Sequence, residues 1–487
     1  MREYTEYDAT GLAELIRKRE VSAKELLAAA RARADEVNPK LNAIVIPMHA
    51  QAEERVGTEL SGPFAGVPFL IKDIQQDYAG VPTTSGSRAL RDWRPREHSE
   101  AVKRFLAAGL VIFGKTSTSE FALKAVIETE LFGVTRNPWD LDRTTGGSSG
   151  GAAAAVAARI VPAAGASDGG GSIRIPAAYC GLFGLRPSRG RVSSAPRGEV
   201  WEGASSEHVL TRSVRDSARI LDVIHGPDVG APFAIAPPER PFAEEVGRAP
   251  GKLRIGFSTT NPVGGAVHPE CVRAVKEAAQ LLEKLGHHVE EAAPEVDGME
   301  LAKSYVTMYF GQVAASVADA KAKTGARDED FELDTRALAL LGRSVSAGEY
   351  VTQRKKWNDF TRALGRFHQR FDLYMTPTTA QPPARTGELT MPAHERALVR
   401  SVMRLGLGKA LLKSGVVDKL AQKSLERTPF TQLSNLTGTP SMSVPLHFAD
   451  VPYGVQFVAR FAEEGLLLRL AAQLEAERPW GAKRPPI

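Results

Sequence analysis

Apolar positions recur along this chain at two periods, and they alternate in long stretches. Residues 8–36 carry the helical period: Leu12, Leu15 and Ile16, then Leu26, Leu27 and Ala30, stand between charged residues. Asn38-Pro39 predicts the end of that helical start. After the turn Ser61-Gly62-Pro63, residues 67–74 read as a strand. Residues 101–108 read as a helix stopped by Gly109, and residues 110–113 as the next strand. The alternation returns later, with strand-like 253–257, helix-like 269–285 and strand-like 288–291. Such alternation predicts an α/β fold built on a central sheet. No repeat of 20–50 residues divides the chain. A Pro-rich stretch, 226–251, reads as an exposed loop rather than a linker, so one large domain is expected.

Composition narrows the class. The 487 residues are 43% hydrophobic and 24% charged, which suits a protein with a sizeable core. A net charge of +5 is small for this length and gives no reason to expect nucleic acid as a partner. Two cysteines, Cys180 and Cys271, rule out a disulfide scaffold and suit a reducing compartment. The first ten residues are polar and charged, and no run of about 18 apolar residues occurs. The expectation is a cytoplasmic enzyme.

Residues 144–172 break the pattern. Thr144-Thr145-Gly146-Gly147-Ser148-Ser149-Gly150-Gly151 leads into an alanine run and then Ser167-Asp168-Gly169-Gly170-Gly171-Ser172. Gly/Ser composition of this kind often marks a flexible linker. Two features argue otherwise: residues 152–158 are strong helix formers, and Ile173, Ile175, Leu182 and Phe183 follow at once. Glycines inside apolar structure let backbone amides approach a ligand, and successive free N–H groups are what an oxyanion needs.

Several chemistries lack their motif. There is no His-Glu-x-x-His or Cys-x-x-Cys for zinc, and no Ser-x-x-Lys. Gly114-Lys115-Thr116 lacks the upstream glycine of a phosphate loop. Gly146-Gly147-Ser148-Ser149-Gly150 does satisfy Gly-x-Ser-x-Gly, the nucleophile elbow of α/β-hydrolase esterases. That reading makes Ser148 the nucleophile and needs a histidine such as His268, His368 or His447, but the polar turn Asn137-Pro138-Trp139-Asp140 stands where a strand should precede it.

A different resemblance covers nearly the whole chain. Gly146 to Gly151, then Asp168-Gly169-Gly170-Gly171-Ser172-Ile173-Arg174-Ile175-Pro176, with the two serines 24 positions apart, resembles the amidase-signature family. Gly66-Val67-Pro68 leading to Lys72-Asp73 is similar to that family's lysine strand. Gly114-Lys115-Thr116 with Glu120-Phe121, Asn435-Leu436-Thr437-Gly438, Ser443-Val444-Pro445 and Gly454-Val455-Gln456 follow in order. The resemblance implies one catalytic domain over 61–487, a mixed sheet covered by helices on both faces, with a helical segment, 1–60, packed on it. It also implies roles. Ser172 matches the acylating nucleophile. Ser148 matches the bridging serine, usually held by a cis peptide after Gly147. Lys72 matches the general base. The amides of Gly169, Gly170, Gly171 and Ser172 match the oxyanion loop. No metal or organic cofactor is implied. Gly169 stands where many members carry Thr, and Ser117 where Asn is common.

A lysine is a base only when neutral, and its ordinary pKa is near 10.4. Burial lowers it. At period two Lys72 shares a face with Leu70 and Ile74, which predicts burial. Ser149 and Arg174 are expected to be structural, with contact to a substrate carboxylate as the alternative for Arg174, and Cys180 a buried inert thiol.

The branch most resembled is that of the 6-aminohexanoate cyclic dimer hydrolases, and carbamate-cleaving members share the pattern. The implied substrate is a small-molecule amide or carbamate, hydrophobic, linear or cyclic. The tRNA-dependent amidotransferase subunit is the alternative, against which stands Ile175, where that subunit generally has Gln. A homodimer is compatible with the sequence, and membrane contact is not expected.

Residues 391–427 resemble neither flanking family stretch and read as a helical lid over the substrate entrance. Leu398, Val399, Val402, Met403 and Leu405, then Leu411, Leu412, Val416, Val417 and Leu420, mark its apolar face, and eight basic against three acidic residues give it a local charge of +5. Gly406, Gly408 and Gly415 provide breaks. A basic helix on a membrane surface and a solvated helix pair are the alternatives.

Overall fold

The computed structural model describes residues 3–413 and 415–487. Its centre is a sheet of eleven strands: Ile44–Pro47 (β1), Pro68–Lys72 (β2), Val111–Thr116 (β3), Ala163–Asp168 (β4), Phe183–Arg186 (β5), Ser206–Thr211 (β6), Arg254–Phe257 (β7), His288–Glu291 (β8), Leu373–Pro377 (β9), Ser441–Phe448 (β10) and Pro452–Val458 (β11). They lie side by side in the order β1-β3-β2-β4-β6-β5-β10-β11-β9-β7-β8. β2 runs parallel to β3 and β4, and β7 parallel to β8 and β9, while the remaining pairings are antiparallel. The sheet is therefore mixed and forms one domain with the helices flanking it.

The periodic segments are where the pattern puts them. The helix Glu100–Ala107 stops before Gly109, whose φ of +87° closes the turn. Pro269–Lys284 is a helix with proline in its first turn, and β8 spans residues 288–291 as expected. The N-terminal helical stretch is two helices, Ala9–Arg17 and Ala23–Leu41. Pro39 does not end the second: it sits in the last turn, and Asn42 in the left-handed conformation terminates it. The segment 1–60 is not wholly helical, because β1 forms an edge of the sheet against β3. The Pro-rich stretch 226–251 holds one short helix, Phe242–Glu245.

One strand beside the site has no strand-like sequence. β4 reads Ala-Ala-Gly-Ala-Ser-Asp, with no β-branched or aromatic residue, yet it pairs with β2 and β6 and is buried throughout. Its small side chains admit neighbours closely: a Cβ on Gly165 would fall 2.1 Å from Gln76 Oε1. The alanine run before it is the helix Gly150–Ala157, also buried throughout. The Gly/Ser-rich stretch is thus core, not linker. All five residues of β2 are buried, so Lys72 owes its burial to cover on both faces rather than to alternation. Among the described residues no helix is long and apolar enough to cross a membrane.

Residues 391–427 are helical, as Ala393–Arg404, Gly408–Lys413 and Val416–Leu425. Leu411, Leu412, Val417 and Leu420 pack on a cluster that includes Trp201, Tyr305 and Leu436. Leu398 and Leu405 are instead 65% and 70% exposed, so the edge of the first helix's apolar stripe faces solvent while Val399, Val402 and Met403 are half-buried. The side chains of Lys413 and Val416 lie outside the described residues.

Candidate active site

Lys72 ends β2, with its side chain pointing into the molecule and no exposed surface. Its backbone N–H donates to Gln76 Oε1 at 2.8 Å. Its Nζ lies 2.8 Å from Ser148 Oγ and 3.1 Å from Ser167 Oγ. Burial pushes its pKa down to about 7, against the opposing pull of the Asp168 and Glu207 charges. Half of such lysines are neutral near pH 7, so a base is available without histidine.

Ser148 is also fully buried and follows a cis Gly147–Ser148 peptide bond. Ser149 caps the helix Gly150–Ala157 and pins the neighbouring strand: its Oγ donates to Ser167 C=O at 3.2 Å, and its N–H to Ser172 C=O at 3.3 Å. That second bond brings the Ser172 backbone beside the Ser148 segment. Ser172, Gly169 and Gly170 are half-buried, so the far end of the constellation opens outward while Lys72 and Ser148 stay inside. Among the described residues Ser172 Oγ makes no hydrogen bond, and the side chains of Ser148 and Ser172 are not yet linked.

The loop after β4 is held by a carboxylate at its centre. Asp168 Oδ1 accepts from Gly171 N–H at 2.7 Å, and Oδ2 from Ile173 N–H at 3.1 Å. The Gly171 amide is therefore committed to Asp168, and the oxyanion-donor role expected of Gly171 is not open to it. Its contribution is conformational: φ is +123°, and a Cβ there would meet Thr431 Oγ1 at 2.5 Å. The amides of Gly169, Gly170 and Ser172 have no hydrogen-bond partner among the described residues and remain as donors.

Arg174 clamps this loop from behind. It has no exposed surface and lies 2.8 Å from Asp168 Oδ1 through Nη2 and 2.9 Å from Oδ2 through Nε. Its other hydrogens go to Thr431 C=O, Ser434 Oγ, Asn435 Oδ1 and Gln456 Oε1, at 2.7–2.8 Å. Burial alone would raise the Asp168 carboxyl, but Arg174 and then Arg186 hold it well below the usual range. A guanidinium so fully engaged has nothing left for a substrate carboxylate, which settles Arg174 as structural. The motifs around Asn435 and Gln456 serve it.

Trp201 and Tyr305 wall the loop. A Cβ on Gly169 would fall 2.9 Å from Trp201 Cε3, and one on Gly170 would fall 2.0 Å from the Tyr305 hydroxyl. Glycine at 169 thus makes room for an indole. Trp201 meets Tyr309 edge-on at 5.5 Å, and Tyr309 stacks with Tyr305 at 6.1 Å. Ser117 Oγ lies 2.6 Å from Thr135 Oγ1, and a Cβ on Gly151 would fall 2.4 Å from it, so a short side chain there lets the helix Gly150–Ala157 approach. Ser167, Asp168 and Trp201 are site residues to which the motif reading gave no role. Only the adjacency of Ser167 and Asp168 to the glycine loop could have flagged two of them.

The alternatives find no support in this geometry. Among the described residues no histidine hydrogen-bonds to Ser148 or Ser172: His208 pairs with Ser217, His368 with Phe371 C=O, and His447 with Glu270 and Glu277. Lys115 is buried in β3 with Nζ 2.6 Å from Thr83 Oγ1, not in a phosphate loop. Cys180 is buried, and burial pushes its thiol far up, which makes it inert.

Comparison with known proteins identifies the family of the whole chain. The family described as Amidase matches residues 25–468. The chain is 37% identical to a 6-aminohexanoate-cyclic-dimer hydrolase of Pseudomonas sp. (strain NK87), over 99% of this chain and 96% of that one. A solved structure of 6-aminohexanoate cyclic dimer hydrolase complexed with substrate superposes with a TM-score of 0.89 at 35% identity, over 99% of both chains. A bacterial aryl acylamidase of the amidase signature superposes with a TM-score of 0.82 at 26% identity, over 98% of this chain and 99% of that one.

Proposed function

This chain belongs to the amidase-signature family of amide-cleaving hydrolases, and we propose that it works through Lys72, Ser148 and Ser172 on a hydrophobic linear or cyclic amide or a carbamate. The contact that carries this reading is Lys72 Nζ at 2.8 Å from Ser148 Oγ, in surroundings that favour the neutral amine.

In the proposed cycle Ser172 Oγ turns toward Ser148 and attacks the carbonyl carbon. Its proton passes to Ser148 Oγ as the Ser148 proton passes to Lys72. The oxyanion forms between the free amides of Gly169, Gly170 and Ser172. The Lys72 ammonium then returns a proton through Ser148 to the leaving nitrogen, and the C–N bond breaks. Water attacks the resulting ester with the same relay as base, which frees the acid and restores Ser172. A fluorophosphonate probe checks the nucleophile: mass spectrometry should find the adduct on Ser172, with labelling lost in Ser172→Ala. An adduct on Ser148 instead would turn the assignment toward the esterase alternative.

The walls support this substrate class. Trp201, Tyr305 and Tyr309 line one side of the loop, which suits an apolar acyl or amine chain. The relatives named for the cyclic dimer of 6-aminohexanoate point the same way. Residues 391–427 act in this reading as a lid, because Leu411, Leu412, Val417 and Leu420 pack on the cluster that contains Trp201 and Tyr305. Leu411→Ser with Leu412→Ser should lower kcat/KM for a long-chain amide about tenfold more than for acetamide. Equal losses, or none, would remove the selective lid. Sedimentation with anionic liposomes tests the membrane alternative for the exposed helix Ala393–Arg404.

A further inference from the structure

The Gly170–Gly171 peptide unit stands between two of the free amides, those of Gly170 and Ser172, and both of its polar ends are held. Gly171 N–H donates to Asp168 Oδ1 at 2.7 Å. The Gly170 carbonyl accepts two bonds, from Thr431 Oγ1 at 2.7 Å and from Gln432 Nε2 at 3.0 Å. The unit is trans, so its N–H and C=O point in opposite directions and it is gripped from both sides. Thr431 and Gln432 stand 261 and 262 positions from Gly170, where the short helix Gln432–Thr437 begins.

Both donors are committed to this carbonyl. Thr431 has no exposed surface, and the other carbonyl within its reach, that of Thr428, is 3.5 Å away. Gln432 is 2% exposed. Only the NH2 end of its amide can serve a carbonyl, and its Oε1 has no partner among the described residues. A buried oxygen without a partner is costly, and an apolar side chain would avoid that cost. The bond to Gly170 is the one hydrogen bond this side chain makes among the described residues.

The loop needs such a grip. Gly169, Gly170 and Gly171 carry no side chain, and glycine has the widest backbone freedom. The carbonyls of Asp168, Gly171 and Ser172 are held by Asn435 Nδ2 at 3.1 Å, Ile175 N–H at 2.7 Å and Ser149 N–H at 3.3 Å. The Asp168 carboxylate accepts only, so it cannot hold the Gly170 carbonyl. Donors stabilise an oxyanion best when they are aimed before the charge develops.

We propose that Thr431 and Gln432 are positioning residues for the reaction, fixing the Gly170–Gly171 peptide so that the Gly170 and Ser172 amides on either side of it stay aimed at the oxyanion. The inference rests on the oxyanion role of those amides, as proposed above.

The rate at which a fluorophosphonate labels Ser172 tests this without a known substrate, because charge develops on the phosphoryl oxygen as the serine adds. Thr431→Val keeps the shape against Gly171 and removes the hydroxyl, and Gln432→Met keeps the length and removes the amide. Each leaves the carbonyl one donor and should slow labelling about fivefold. The double variant leaves none and should slow it about a hundredfold. That loss exceeds the product of the single losses because the two donors share one acceptor. Thr431→Ser keeps the hydroxyl and should label at close to the wild-type rate. The acidic limb of the labelling rate against pH should stay in place in every variant, since Lys72 and Ser148 are untouched. If Thr431→Val does not fold, Gln432→Met, with its own fivefold loss and unmoved limb, carries the test. Wild-type-rate labelling in the double variant or in Gln432→Met, Thr431→Ser as slow as Thr431→Val, or a limb that moves with the loss overturns the inference. An adduct on Ser148 in the wild type would instead overturn the site reading on which it stands.

Discussion

Lys72→Ala should cut turnover roughly 10⁴-fold while leaving the fold intact, because it removes the only base in contact with Ser148 among the described residues. Lys72→Met, which keeps most of the side-chain volume, should fall as far, and this separates lost basicity from a cavity. No single histidine-to-alanine variant should approach that loss, since no histidine touches either serine among the described residues. The pH profile carries the same information. With the pKa depressed to about 7, Lys72 is an ammonium below that pH and cannot accept a proton. kcat/KM should therefore fall as pH drops below about 7 and level off above it. A histidine variant as inactive as Lys72→Ala, or a profile flat from pH 5 to 8 (on the order of tenfold change per unit being expected), would remove the serine–serine–lysine relay.

Arg174→Met should be the most destabilising single change in the site, by about 3–5 kcal/mol. The side chain is fully buried and meets Asp168 through two nitrogens, so its removal strands a buried carboxylate. Four further acceptors, on Thr431, Ser434, Asn435 and Gln456, lose a donor as well. Thermal unfolding should report a clear drop in melting temperature. Labelling of Ser172 should fail too, because Asp168 also holds the Gly171 and Ile173 amides that shape the nucleophile loop. Replacing Asp168 by Leu in the same chain should recover part of the stability and none of the labelling, since it removes the stranded charge without rebuilding the loop. A single variant that melts with the wild type would show that Arg174 does not carry the loop.

Much of the scaffold was legible because it rests on local rules. Gly109 stops a helix through a positive φ, and residues 269–284 and 288–291 follow their periods. Pro39 misled, because a proline in the last turn of a helix is tolerated when the chain before it is already helical. β4 was illegible because its residues are small rather than strand-forming, and only pairing with β2 and β6 makes it a strand. The stripe with Leu398 and Leu405 was legible as a pattern but not as a direction, since periodicity does not say which face a helix turns to the core.

For the site the division is sharper. By itself the sequence determined which residue types stand in which order: a lysine closing a strand, two serines 24 positions apart, and a glycine loop between an aspartate and the second serine. That order was enough to identify the chemistry through resemblance. The tertiary structure alone decided the charge states and the partners, because these depend on contacts between distant positions. Lys72 meets Ser148 across 76 positions. Gly171, placed by its motif among the oxyanion donors, gives its N–H to Asp168 instead, while Arg174 draws together acceptors more than 250 positions away. Burial is a property of the folded whole, and burial is what lowers the pKa of this lysine.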